Sequence, residues 1–217
     1  TSSDTEVTPD ITVLYEDDEV VVIAKPVGLM VHEDGVNEEQ TVVDWLLGRA
    51  PEARGVGEPG RSPKGEELER SGVVHRLDRE TSGVLVLAKT QAAFMHLKAQ
   101  FHDRLAKKEY RAIVYGAMRE RWGTINKPIG RSPKDFRKRS AMPGAKGTLR
   151  HAVTDWERIG SAQIETEHFS YLRLIPKTGR THQLRVHLRA IDRPIVGDPL
   201  YADHMVERSN HLGLKRM

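Results

Sequence analysis

Gly83–Lys89, GVLVLAK, carries apolar side chains without interruption from Val84 to Ala88. Successive residues of an extended chain point to opposite faces, so this run is apolar on both and predicts a strand central in a sheet. A sheet must therefore organise the fold. Ile11–Tyr15 and Glu19–Ala24 read as two short β-branched strands joined by a turn at Asp17-Asp18, and Lys25-Pro26-Val27-Gly28 as the loop that follows. Lys108–Tyr115, His151–Glu157 and Phe169–Ile175 read as further strands.

Helical signals are fewer. Thr41 stands before Val42, Val43, Leu46 and Leu47, with Asp44 three residues on, the pattern of a capping box. Thr90 precedes Phe94, Leu97 and Phe101 at helical spacing, and a third helix is predicted from near Thr181, burying Leu184, Leu188 and Ile191 before Pro194 ends it. More strands than helices, in mixed order, predict an α+β fold on a largely antiparallel sheet. Residues 51–71, rich in Pro, Gly and charge, predict a long surface loop. Between Lys127 and Arg150 lie eight basic residues and one acid, Asp135, interrupted by Gly130, Pro133, Pro143, Gly144 and Gly147. That composition predicts a basic, poorly structured insertion, suited to a phosphate backbone or simply exposed.

A chain of 217 residues makes one large domain or two small ones. It contains no cysteine, which removes disulfides, thiolate nucleophiles, iron–sulfur clusters and cysteine-type zinc sites. No apolar run approaches the roughly 18 residues of a membrane span. Thr1–Asp10 is polar and acidic, unlike a targeting peptide, so a cytoplasmic protein is expected, with residues 1–10 an extension and 11–217 the folded domain. Charge is distributed unevenly: residues 1–60 hold 14 Asp/Glu against Lys25, Arg49 and Arg54, although the whole chain carries +3. The asymmetry fits a polyanion bound on one side, or a solvated charge gradient. No HExxH pattern or GxxxxGK[ST] loop occurs, so neither metal nor nucleotide cofactor is expected.

Residues 75–83 read His-Arg-Leu-Asp-Arg-Glu-Thr-Ser-Gly. An aspartate between two arginines is ordinarily a surface ion pair. Nine connected residues leading into the apolar strand are more specific, and the stretch resembles the catalytic signature of RNA pseudouridine synthases of the RluA/RluD type. Further blocks match in the same order. Leu14–Asp18 with Lys25–Leu29 is similar to the family's opening strands and Lys-Pro-x-Gly loop. Lys107–Ala112 is similar to the second catalytic block, Thr178–His187 to the third, and Gly197–Tyr201 to the closing block. The resemblance runs from about residue 11 to 203. Nothing matches the S4 RNA-binding domain that many relatives carry, and relatives continue past the position of Met217 with another strand or two.

The resemblance implies a pseudouridine synthase fold with an RNA-binding cleft, acting without cofactor, as a monomer, on ribosomal large-subunit RNA or on tRNA. It implies Asp78 as the catalytic carboxylate, Tyr110 as the active-site tyrosine and Arg185 as the basic partner of Asp78. Read from residues alone, Tyr110 in an alternating strand is by default a core tyrosine. Arg185 is equally a surface charge sharing a helix face with His182 and Arg189. Arg76 is implied to act on the same nucleotide as Asp78, against the alternative of an ion pair with Glu80. His75, Arg180, His182, Arg137, Lys138 and Arg139 complete the expected RNA contacts. A non-catalytic RNA-binding protein and a metal-dependent hydrolase using Asp78 with Asp17, Asp18 or Glu80 are the rival readings.

Overall fold

Asp17 makes the first reversal of the chain. Its Oδ1 accepts the Glu19 and Val20 amides, each at 2.8 Å, and its Oδ2 accepts the Tyr15 hydroxyl at 2.7 Å. A short carboxylate that bonds its own downstream backbone is a built-in turn. It joins β1 (Thr12–Glu16) to β2 (Val20–Lys25) as predicted. The computed structural model describes residues 10–37, 39–62, 64–202 and 205. It divides into two compact units, the first running to Ala106 and the second from Lys107.

In the first unit, α1 (Val42–Arg49) begins with the predicted capping box: Asp44 N donates to Thr41 Oγ1, and the Asp44 carboxylate accepts Thr41 N at 2.8 Å. Such a cap is worth about 1 kcal/mol. The segment expected as a featureless loop, 51–71, has structure of its own. It holds a 3-10 turn (Pro51–Ala53) and a small hairpin of β3 (Gly60–Arg61) and β4 (Glu67–Leu68), with Ala53, Ser62, Leu68 and Ser71 buried. Strands of two residues are too short to leave any periodicity. β5 (Gly83–Ala88) pairs antiparallel with β2, giving the order β1-β2-β5. The central strand is therefore β2, and β5 lies at a margin, contrary to expectation. Its outer edge is covered piecemeal, by a bridge from Leu87 to Val73 and by His75 Nε2, which accepts the Val86 amide at 3.1 Å. Its second face is apolar because α2 (Gln91–His102) covers one end, packing Ala93 and Phe94 on Ala88; Val84 at the other end is exposed. Thr90 caps α2 through the Ala93 amide.

The second unit contains β6 (Tyr110–Tyr115), β7 (Trp122–Asn126), β8 (Ile129–Arg131), β9 (Arg139–Ser140), β10 (Lys146–Arg150), β11 (Val153–Ile164), β12 (Glu167–Pro176) and α3 (Gln183–Arg189). Its main sheet is antiparallel throughout, ordered β6-β12-β11-β7. Ala112, Val114, Ile125, Leu172 and Leu174 from that sheet form a core closed by Leu188 of α3. Each leucine buried this way contributes about 1.5–3 kcal/mol. β11 runs on past the expected end at Glu157 because a register shift between Arg158 and Gly160 absorbs the break in alternation. The basic segment 127–150 is not poorly structured. It forms an antiparallel sheet ordered β10-β8-β9. Gly130, read as a breaker, is a close approach: a Cβ there would lie 2.7 Å from Leu149 Cδ2 and 2.8 Å from the Lys146 carbonyl.

Candidate active site

The signature loop of the first unit is held from beneath. Leu77 is buried and anchors it, and the Asp78 carbonyl accepts the Thr81 amide at 3.0 Å, turning the chain directly after the aspartate. Beneath the turn lies Lys25, the last residue of β2, only 1% exposed. Its ammonium donates to the carbonyls of Pro26 (2.8 Å), Leu29 (2.7 Å) and Arg79 (3.2 Å). A buried ammonium is tolerable only when its protons are so satisfied. Burial still pulls Lys25 down to about 8, while the Glu80 and Asp78 carboxylates act to raise it. Gly28 N donates to the Arg79 carbonyl at 2.8 Å, and Arg79 Nε returns a bond to the Gly28 carbonyl at 3.0 Å. Arg79 also forks onto Glu39, with Nη2–Oε2 at 2.7 Å. Loop 25–29 and loop 75–81 are thus one bonded body carrying a half-buried Asp78.

Two predicted neighbours of Asp78 take distinct places. His75 stacks on Phe101, ring centroids 4.4 Å apart, and accepts from β5, so it supports the loop. Arg76 is exposed and makes no ion pair with Glu80 among the described residues. Its Nη1 lies 3.4 Å from His32 Nε2.

In the second unit, Arg185 is buried, so the surface-charge reading of α3 is wrong. Its guanidinium forks onto Asp198, with Nε–Oδ2 at 2.7 Å and Nη2–Oδ1 at 2.8 Å, and lies 5.0 Å from the centre of the Tyr201 ring. Burial pushes the Asp198 carboxyl up, but the hydrogen bonds and charge of Arg185, with the Leu200 and Tyr201 amides, hold it below the usual range. Tyr201 gathers three expected residues. Its hydroxyl accepts the Arg139 amide at 2.9 Å and lies 2.8 Å from His182 Nδ1, while Arg185 faces its ring. His182 sits in the left-handed region, φ 55°, which sets the start of α3 two residues beyond Thr181. There Gln183 Oε1 accepts the Thr178 hydroxyl and the Arg180 amide, and its amide donates to the Val153 carbonyl and Thr154.

The remaining expected residues are dispersed. Arg180 Nε donates to the His151 carbonyl. Arg137 forks onto Asp135, whose carboxyl that arginine pulls to about 2. Lys138 lies between Arg137 and the half-buried Arg139 in the turn before β9. Tyr110 is half-buried at the start of β6 and packs on the sheet core. Lys25, Asp198 and Tyr201 lie in the matching blocks but carry no role expected from the sequence; charge in an apolar setting was the available signal for Lys25 and Asp198. No group of three or more His, Cys, Asp or Glu suited to a metal occurs among the described residues.

A family model described as RNA pseudouridylate synthase matches residues 19–190. An uncharacterized RNA pseudouridine synthase of Synechocystis sp. is 42% identical over 192 residues, 87% of this chain and 54% of that protein. The ribosomal large subunit pseudouridine synthase D of Xanthomonas campestris is 41% identical over 191 residues, 88% of this chain and 51% of that one. Among solved structures, human RNA pseudouridylate synthase domain containing 4 superposes with a TM-score of 0.66 at 30% identity, covering 94% of this chain and 76% of its own. The chain spans about half the length of the curated relatives it matches.

Proposed function

This chain belongs to the RNA pseudouridylate synthase family, and from that premise we propose that it isomerises uridine in RNA to pseudouridine with Asp78 as the catalytic carboxylate. The observation that carries this reading is the loop just described: a half-buried carboxylate at a turn whose shape is fixed by Lys25, Gly28 and Arg79. The reaction breaks the N1–C1′ bond and joins C5 to C1′, with one proton leaving C5 and one arriving at N1. Nothing is oxidised and no group is donated. A positioned carboxylate suffices, whether it attacks the base, attacks the sugar, or removes the 2′ proton.

Tyr110 and Arg185 are assigned to the same reaction, Tyr110 by its ring against the uracil and Arg185 by its charge. Asp198 is assigned to fixing the plane of that guanidinium. The RNA contacts are Arg76, Arg180, Lys138 and Arg139, with His75 and His182 holding the backbone that bears them. Ribosomal large-subunit RNA is the proposed substrate, because similar proteins carry that name. A cytoplasmic location follows from that substrate. The test is conversion of uridine in transcribed large-subunit RNA and in tRNA, read by carbodiimide-dependent reverse-transcription stops. Stops in the ribosomal transcript that vanish with Asp78→Asn are expected; stops confined to tRNA would reassign the substrate, and none in either would refute the activity.

A further inference from the structure

The first unit is rich in acid, and several of its cations have taken a carboxylate. Arg49 and Lys89 share Glu16, Arg54 faces Glu69, Arg79 holds Glu39 and Lys98 meets Glu58. Arg70 and Arg76 depart from this pattern. Neither makes an ion pair among the described residues. Arg70 is half-buried, and its Nε is closed off from solvent without a hydrogen-bond partner. The side chain is laid across Gly60, where a Cβ would come within 2.2 Å of that Nε.

The two guanidinium groups also act on each other. Burial lowers the Arg70 pKa, and the charge of Arg76 lowers it further. Both charges reach His32, which burial already pulls to about 4. His32 Nδ1 lies 2.6 Å from the Glu33 carbonyl, which can only accept, so the neutral ring offers the Nε2 lone pair to Arg76. The geometry agrees: the hairpin that Arg70 crosses at Gly60 lies against the loop that follows His32, where a Cβ on Gly35 would come 2.7 Å from Ser62 Cβ and 3.6 Å from Leu68, and Arg76 meets His32 itself. Two like charges thus face one neutral acceptor, in a unit where carboxylates are plentiful. Like charges held together cost energy that a shared anion returns, and a guanidinium fork matches phosphate oxygens.

We propose that Arg70 and Arg76 together grip one backbone phosphate of the RNA, forming a phosphate subsite at the edge of the Asp78 loop. The proposal rests on the RNA-modifying function proposed above. The face of the Arg76 guanidinium remains available to a vacated base stack while its edge meets the phosphate. Gly60 is part of the subsite, since only its bare backbone lets Arg70 lie where it does.

The test uses the full chain carrying Asp78→Asn, so that bound RNA is not turned over. Its affinity for a stem-loop transcript is measured against salt, alone and with Arg70→Gln, Arg70→Lys or Gly60→Ala. One lost phosphate contact lowers the slope of log affinity against log salt by about 0.7–0.9. Arg70→Gln and Gly60→Ala should show that loss, the second with all charges kept, and Arg70→Lys should retain most of the slope. A scan of neutral methylphosphonate linkages should find one position that weakens the parent several-fold and leaves Arg70→Gln unaffected. An unchanged slope and an unchanged scan would overturn the proposal, even if Arg70→Gln melts earlier. Pseudouridine formation by the unmutated chain on the same RNA reports separately on the proposed function: turnover without a slope change sinks the subsite alone, and a slope change without turnover sinks the activity alone.

Discussion

The loop that carries Asp78 is fixed by main-chain carbonyls, gathered from beneath by Lys25; the surroundings of Arg185 are fixed by side chains, Asp198 and Tyr201, gathered by the arginine itself. In the first region the residue that builds the loop is not the one proposed to do the chemistry. In the second they coincide. Function and stability should therefore be separable at Asp78 and inseparable at Arg185.

The largest expected effect is at Asp78. Asp78→Asn keeps size and polarity, so single-turnover pseudouridine formation should fall by at least roughly a thousandfold, about 4 kcal/mol of barrier, while the melting transition stays in place. Appreciable turnover, or a large loss of stability, breaks the comparison on this side.

At Arg185 both quantities should fall. Arg185→Met leaves Asp198 buried and uncompensated, at a cost of about 3–5 kcal/mol of stability together with activity. Asp198→Asn strands the guanidinium instead and should be nearly as severe. Because the Asp198 carboxyl is lowered by folding, its contribution is present above the unfolded carboxylate range near pH 4 and is lost as pH falls through the folded value. Urea unfolding at pH 7 and pH 3 checks this. A stable but inactive Arg185→Met would show that the pair does not carry the local structure.

An intermediate effect is expected at Arg76. A uridine stacked in folded RNA must be extruded at a cost of about a few kcal/mol. Arg76→Ala should slow turnover of a structured stem-loop about tenfold or more, and of a flexible single strand much less. Equal losses on both RNAs would make Arg76 a general electrostatic contact.

The smallest effect is a pH dependence at Lys25. Folding lowers this base from 10.5 to about 8, so the folded chain sheds its proton first. Between those values unfolding takes up a proton, and stability relative to Lys25→Met should rise with pH from 8 toward 10. A flat difference would mean that the ammonium is not buried as described.

The α+β class was readable in the count and order of strands and helices; the capping box at Thr41, the Thr90 cap and the β1–β2 turn were readable because each depends on neighbours within four residues. The β3–β4 hairpin and the sheet of 127–150 were not readable. Four of their strands have only two or three residues, β10 is exposed at every position and so shows no alternation, and Gly130 signals a break while serving a close packing contact. The position of β5 misled for a related reason: helix α2, not another strand, covers its second face. At the site, Asp78 stood out by the block around it. Arg185 as a buried residue did not, since burial depends on Asp198, thirteen residues away and visible only once α3 has folded.

Lys25 also has a meaning in time. Its three bonds reach Pro26, Leu29 and Arg79, and Gly28 and Arg79 are bonded reciprocally. Releasing either loop takes from a buried ammonium a carbonyl that satisfies it, so the two are expected to open as one event rather than fray separately. The Gly28 and Thr81 amides, 53 positions apart in the chain, should then exchange their protons with solvent at a common rate, set by that single opening. Asp78 would keep its stance between openings and lose it only when the whole plate lifts.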